Sequence, residues 1–313
     1  MNYLGEFAPG EVRRGRGTTQ YEYDFDAEWG ALWAWMQPQG NPCFSLSFLN
    51  DIEAVDQSIV TSGGKVLDQD LHAPVNYYVY ASRSEGVFNY GGDLALFLLL
   101  IKARERDALA HYAKRCLDCL YPKIRNFGSS TLTTISLVQG DALGGGFEAA
   151  LSSDVIIAEE RATMGFPEIL FNLFPGMGGY SLVGRRAGMR VAEDLISSGR
   201  MLSARELKEI GLVDVVAPDG EGENVVQDWI NRHHKRRNGL QSMYKSRHEV
   251  FPIERKELDA ISEIWVDAAM RLGERDLKMM RRIVTAQLKR MEGKGESLPT
   301  VQDLDRELVI ERG

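Results

Sequence analysis

The chain has 313 residues, 44% of them hydrophobic and 26% charged, proportions that support a buried core and exclude wholesale disorder. A formal net charge of −8 argues against a general nucleic-acid binder, which needs a net basic face. The longest apolar run, residues 94–101, is far short of the roughly 20 residues of a spanning helix, so no membrane span is expected.

The N-terminus carries no apolar signal-peptide core, so a cytoplasmic location is expected. Residues 10–17 are rich in Gly and Arg and read as part of a flexible arm over residues 1–20. Residues 43–49 and 75–81 are short apolar, aromatic or β-branched runs bounded by turn residues, and both read as strands. A glycine-containing turn at 87–93 leads into a predicted helix over 94–120, and residues 134–138 are a further strand. After the triplet Gly144, Gly145 and Gly146 a helical pattern resumes, followed by strands at 155–158 and 163–165. Beyond Pro175 the chain turns mainly helical, over 178–187, 191–197 and 204–210, with one last strand at 213–216. A turn at 218–223 precedes a helix over 225–237. The final helical region, 254–290, places Leu258, Ile261, Trp265, Ala268 and Leu272 at three- and four-residue steps. That stripe needs a partner surface. Strands alternating with helices give an α/β class.

Cys43, Cys116 and Cys119 cannot all pair, which favours a reduced compartment. The C-x-x-C formed by Cys116 and Cys119 has no second pair or nearby histidines and is weak evidence for zinc or redox chemistry. The five histidines lack metal-ligand spacing, and His233 with His234 falls in a basic run that reads as a solvated face. Neither a metal nor a cofactor is expected.

A glycine triplet between a buried strand and a helix lets a ligand approach the backbone and presents free N–H groups to an anion. The dinucleotide and phosphate-loop patterns that share this geometry are absent from the sequence. Glu148 follows the triplet among Phe147, Ala149, Ala150 and Leu151, and Glu168 stands between Pro167 and Ile169. Each alone reads as a helix-start charge. Together, two carboxyls in apolar surroundings suit proton transfer, because burial raises their pKa.

The runs VFNYGGD, VQGDALGGGFEAA and MGFPEILFNLFPGMGG, taken in order, resemble the crotonase, or enoyl-CoA hydratase and isomerase, superfamily. Within it, VFNYGGDLALF, LVQGDALGGGFEAALS, IIAEE, NLFPGMGGYS and EIWVDAAMRLGE look closest to the diffusible signal factor (DSF) synthases, which make cis-2-unsaturated fatty acid quorum-sensing signals. The resemblance implies a crotonase-like ββα superhelix over residues 21–221 and a C-terminal helical region over 222–313. It implies an oxyanion hole from the N–H groups of Gly92 and Gly145, catalytic roles for Glu148 and Glu168, and an acyl pocket involving Trp265, Leu143 and Met177.

The same resemblance implies dehydration of a 3-hydroxyacyl group on acyl carrier protein (ACP) followed by thioester hydrolysis, with an ordinary enoyl-CoA hydratase acting on acyl-CoA as the alternative. A third possibility is a regulatory binding module for a sensor kinase. Homo-oligomers, as trimers or dimers of trimers, are also implied. An acidic carrier would need a basic docking face, for which Arg185, Arg186 and Arg190 or the run 235–237 compete with plain solvated surface. Glu206 and Asp214 are expected to be solvated.

Overall fold

The computed structural model describes residues 12–14, 17–68 and 71–291. A seven-stranded sheet runs in the order β1 (Val12–Arg14), β2 (Tyr21–Asp26), β3 (Ala31–Met36), β6 (Tyr77–Ser82), β8 (Thr133–Val138), β10 (Val155–Glu159) and β13 (Val215–Ala217). Its first two pairings are antiparallel and the rest parallel. A second sheet orders β12 (Met201–Ser203), β11 (Thr163–Gly165), β9 (Asp141–Leu143) and β7 (Val87–Asn89), and a small ribbon pairs β4 (Lys65–Asp68) with β5 (Leu71–Pro74).

The parallel strands β6, β8 and β10 each feed a short strand of the second sheet and then helical structure. β6 and β7 lead to α2 (Leu94–Lys102) and α3 (Arg106–Ile124), and β8 and β9 lead to α4 (Gly145–Leu151). β10 and β11 lead to α5 (Gly179–Ala187) and α6 (Met189–Ser198), after which α7 (Ala204–Glu209) returns the chain to β13. This is a mixed α/β fold built of ββα turns, with C-terminal helices α8 (Gly222–His234), α9 (Arg237–Val250), α10 (Arg255–Ala269) and α11 (Glu274–Met291). Both faces of the large sheet are covered, which is why its strands read as nearly unbroken apolar runs. Trp33, Val79, Ile135 and Ile157 meet α8 residues Val226 and Ile230 on one face, while Leu32, Tyr80 and Ile156 join the larger core on the other.

Several expectations change. Residues 43–49 are not a strand: Phe44 makes one isolated bridge to Gly92, and α1 (Leu46–Thr61) starts at once. The Ser45 hydroxyl accepts the Phe48 N–H at 3.2 Å, and the buried positions Phe48, Leu49, Ile52, Val55 and Ile59 follow helical spacing. The helix expected over 94–120 is broken between α2 and α3, where Arg104 takes φ +60°. The region 254–290 is likewise two helices, separated at Gly273. β2 and β3 extend the sheet ahead of residue 44, and Val12–Arg14, within the expected arm, pairs with β2. Residues 1–11, 15 and 16 of that arm lie outside the described residues. The stripe bearing Leu258 and Trp265 is buried in the chain's own core, where α10 packs on α3, so its burial needs no second subunit.

Candidate active site

Two glycine loops meet at the C-terminal ends of β7 and β9. The first is fixed from several sides: Asn89 Oδ1 accepts the Gly91 N–H at 2.7 Å, the Tyr90 N–H donates to Pro42 O at 2.7 Å, and the Phe44 N–H donates to Gly91 O at 2.8 Å. Tyr112 completes the clamp, its hydroxyl donating to Phe44 O at 2.6 Å and accepting the Asp93 N–H at 3.0 Å. The second loop turns through Gly144 at φ +51°, and the Gly144 N–H is held by Gly165 O at 2.9 Å. A methyl group on Gly91 would come 2.6 Å from Leu143 O and 2.7 Å from the Gly145 nitrogen, so the two loops touch backbone to backbone. Neither the Gly92 nor the Gly145 N–H donates to a protein acceptor among the described residues.

The carboxyls of Glu148 and Glu168 stand beside these loops in unequal environments. Glu148, on the first turn of α4, is 1% exposed, and its Oε1 accepts the Met177 N–H at 2.8 Å and the Gly179 N–H at 2.7 Å. Burial pushes its pKa up to about 7, against the lowering effect of those two hydrogen bonds. Glu168 is set by the short 3-10 turn Pro167–Phe171, and its Oε1 lies against the Cα of Gly144, where any side chain would collide with it. Its Oε2 is buried and has no hydrogen-bond partner among the described residues. Burial first, and then the nearby Glu148, raise its pKa well above the ordinary carboxyl value.

Both carboxyls open into a cavity enclosing about 650 Å³ of empty space, counted out to its mouth. Leu143, Met177 and Trp265 all line it, so every site residue singled out in the sequence borders one space. The rings of Phe97 and Trp265 meet edge-on with centroids 5.1 Å apart, and Gly176 leaves room for the indole, which would sit 2.5 Å from a methyl group there. Tyr90, Cys116 and Gln287 also line the cavity and were not singled out as pocket residues. Gln287 left a signal, being a polar residue on the apolar face that carries Met280 and Ile283. Cys116 belongs to the core as well as the wall and, like Cys43 and Cys119, is a free thiol.

Arg185 and Arg186 do not form an open docking face. Arg185 makes a two-pronged contact to Glu257, at 2.9 and 2.6 Å, and Arg186 is turned inward to Ser153 O with Asp214 at 3.8 Å. Glu206 and Asp214 are exposed, as expected, and each also makes a local hydrogen bond. Asp214 accepts the Ile156 N–H at 2.7 Å, and Glu206 forms a capping box with Ser203. His233 packs on Trp229 and His234 on Trp29, with ring centroids 4.3 and 5.0 Å apart.

The sequence profile of the enoyl-CoA hydratase/isomerase family matches residues 64–263. The chain is 43% identical over 183 residues to the enoyl-CoA isomerase/hydratase fer4 of Mycosarcoma maydis, covering 58% of this chain and 63% of the relative. It is 34% identical over 154 residues to the human mitochondrial enoyl-CoA hydratase domain-containing protein 2, covering 49% and 50%. Matches to curated relatives thus span between a third and two thirds of their length. Among solved structures, enoyl-CoA hydratase from Bacillus halodurans superposes with a TM-score of 0.67 at 16% identity over 84% of this chain and 98% of that one. Pseudomonas aeruginosa DspI gives 0.62 at 22% identity over 80% and 96%. At these identities the structural likeness speaks for the crotonase fold. The profile covers β4 to β13, both glycine loops and both glutamates, and it places this chain in the enoyl-CoA hydratase/isomerase family.

Proposed function

We propose that the chain adds water to, and removes it from, the C2–C3 bond of an acyl thioester, with Glu148 and Glu168 handling the protons and the Gly92 and Gly145 N–H groups holding the thioester oxygen. The unequal hydrogen bonding of the two carboxyls carries this reading. Two N–H donors favour ionised Glu148, while Glu168, with an unpartnered Oε2 and a carboxylate neighbour, favours its proton. One proton on the pair, held by Glu168, is the state that water addition requires. The Glu148 carboxylate takes a proton from water as its oxygen bonds to C3. The π electrons shift toward the carbonyl, where the two N–H groups stabilise the developing oxyanion more than the ground state, and Glu168 delivers its proton to C2. Dehydration runs the same steps backwards, with Glu168 accepting the C2 proton. Relatives named as enoyl-CoA hydratases support acyl-CoA as the substrate form.

The test is the pH dependence of enoyl-CoA hydration. The rate should rise as pH climbs through about 7, because Glu148 must ionise, and fall again at higher pH as Glu168 loses its proton. A rate that drops on passing upward through that first range would refute the assignment.

A second, finer reading is DSF synthesis: dehydration of 3-hydroxyacyl-ACP to the cis-2-enoyl form and release of the free acid by water activated at one of the glutamates. It is supported by the motif resemblance and by the apolar wall formed by Phe97, Ile283 and Trp265. Kinase binding and trimers are supported by resemblance alone. A buried chain gains about 0.8 kcal/mol per CH₂, so Trp265→Ala, which enlarges the wall, should shift the products toward longer chains. Mass spectrometry of lipids released by expressing cells reads both points: an unchanged chain-length distribution removes Trp265 from the acyl wall, and the absence of a cis-2-enoic acid refutes the synthase reading.

A further inference from the structure

The N–H groups of Gly92 and Gly145 are aimed by different means. A trans peptide unit is planar, so a carbonyl held on one side points the next residue's N–H the opposite way. For Gly145 that carbonyl is Gly144 O, which accepts the Glu148 N–H at 2.9 Å, and α4 itself sets the direction. For Gly92 it is Gly91 O, held by the Phe44 N–H at 2.8 Å. Phe44 belongs to a distant part of the chain, just ahead of α1, and makes an isolated bridge to Gly92. Phe44 is fixed in turn by a side chain from α3. The Tyr112 hydroxyl donates to Phe44 O at 2.6 Å and accepts the Asp93 N–H at 3.0 Å. One hydroxyl thus grips both the residue that aims the Gly92 N–H and the peptide that follows Gly92.

Building on the thioester reading, we infer that Tyr112 is a positioning residue that holds the Gly92 N–H on the thioester oxygen from outside the loop. Its single hydroxyl proton is committed to Phe44 O, so the side chain orients the donor and takes no part in the proton transfers. Burial, above all, raises its pKa well above the ordinary phenol value, which keeps that proton in place. The ring gives a second support. Tyr112 is 2% exposed and meets Phe97 edge-on with centroids 5.1 Å apart, and Phe97 lies against Gly92, where an added methyl group would come 2.6 Å from the ring. Tyr112→Phe keeps this packing and removes only the two hydrogen bonds. The Gly91–Gly92 peptide is then free to tilt, while Gly145, aimed by α4, is not.

Tyr112→Phe should lower kcat for enoyl-CoA hydration about 10- to 100-fold and leave KM within about twofold, because the misplaced donor matters most to the developing oxyanion. S-hexyl-coenzyme A, a thioether with no carbonyl, should bind the variant as it binds the native protein. The direct readout is the absorbance of a bound 2,4-dienoyl thioester, whose band moves to longer wavelength as its carbonyl is polarised. That red shift should be smaller in Tyr112→Phe. A native kcat and a native red shift in the variant, or a loss confined to KM, overturns the assignment. If Tyr112→Phe is too unstable to assay, Tyr112→4-aminophenylalanine carries the test, since it keeps a donor for Phe44 O and offers Asp93 a poorer acceptor. It should lower kcat and the red shift together with thioether binding retained, and native values of both overturn the proposal. A native protein that red-shifts the dienoyl band but hydrates no enoyl thioester would sink the catalytic reading and leave the positioning role standing. Native hydration with an undiminished red shift in Tyr112→Phe would do the reverse.

Discussion

Glu168→Gln is expected to lower the rate of hydration by about 10²- to 10⁴-fold, and Glu148→Gln to do the same, with thioester binding retained. Glutamine at 168 keeps the shape of the side chain over Gly144 but has no proton to deliver to C2. At 148 it can still accept the Met177 and Gly179 N–H groups but cannot take a proton from water. Loss of fold is a poor rival explanation. Both carboxyls hold their protons more tightly in the folded chain than in the unfolded one, so the stability they contribute is fully present below the ordinary value near 4.5 and is lost as pH rises through the folded values, about 7 for Glu148. For Glu148 that loss is roughly 3 kcal/mol by alkaline pH. The glutamine variants should therefore melt no lower than the native protein at about pH 8 while being nearly inactive. Rates close to wild type in both variants would refute the two-carboxyl mechanism.

Gly91→Ala should disable the site with a single methyl group, lowering the hydration rate by about 10²- to 10³-fold, the scale of losing one oxyanion donor. Gly91 sits at φ +86°, and the added carbon would press on Leu143 O and the Gly145 nitrogen. Relief requires the two loops to part, which moves the N–H groups of Gly92 and Gly145 away from a shared oxygen. Gly86→Ala is the matched control. Gly86 also has positive φ, +67°, but nothing lies within 4 Å of the added carbon. That variant should lose about 1–2 kcal/mol of stability to backbone strain and keep its rate. Similar kinetics in the two variants would show that strain, rather than loop separation, governs the site.

Local features were legible in the residues alone. The triplet Gly144 to Gly146 with Glu148 in the next turn, and Pro167 with Glu168, are short stretches whose backbone conformation and side-chain chemistry are set by near neighbours, and β6, β8 and β10 announce themselves because strands buried on both faces must be apolar throughout. Short-range composition misled where a single cap or break decides: Ser45 turns an apolar, strand-like run into α1, and positive φ at Arg104 divides one periodic stretch into two helices. Tertiary structure alone decided which distant residues share the cavity. Tyr90, Cys116, Trp265 and Gln287 come from one loop and three helices, and nothing in their spacing records that convergence. It also decided that Arg185 is spent on Glu257, that the Trp265 stripe is covered within its own chain, and that Glu148 has two N–H donors where Glu168 Oε2 has none. That last difference depends on the start of α5 folding back onto α4, and with it goes the division of acid and base between two glutamates that look alike in the sequence.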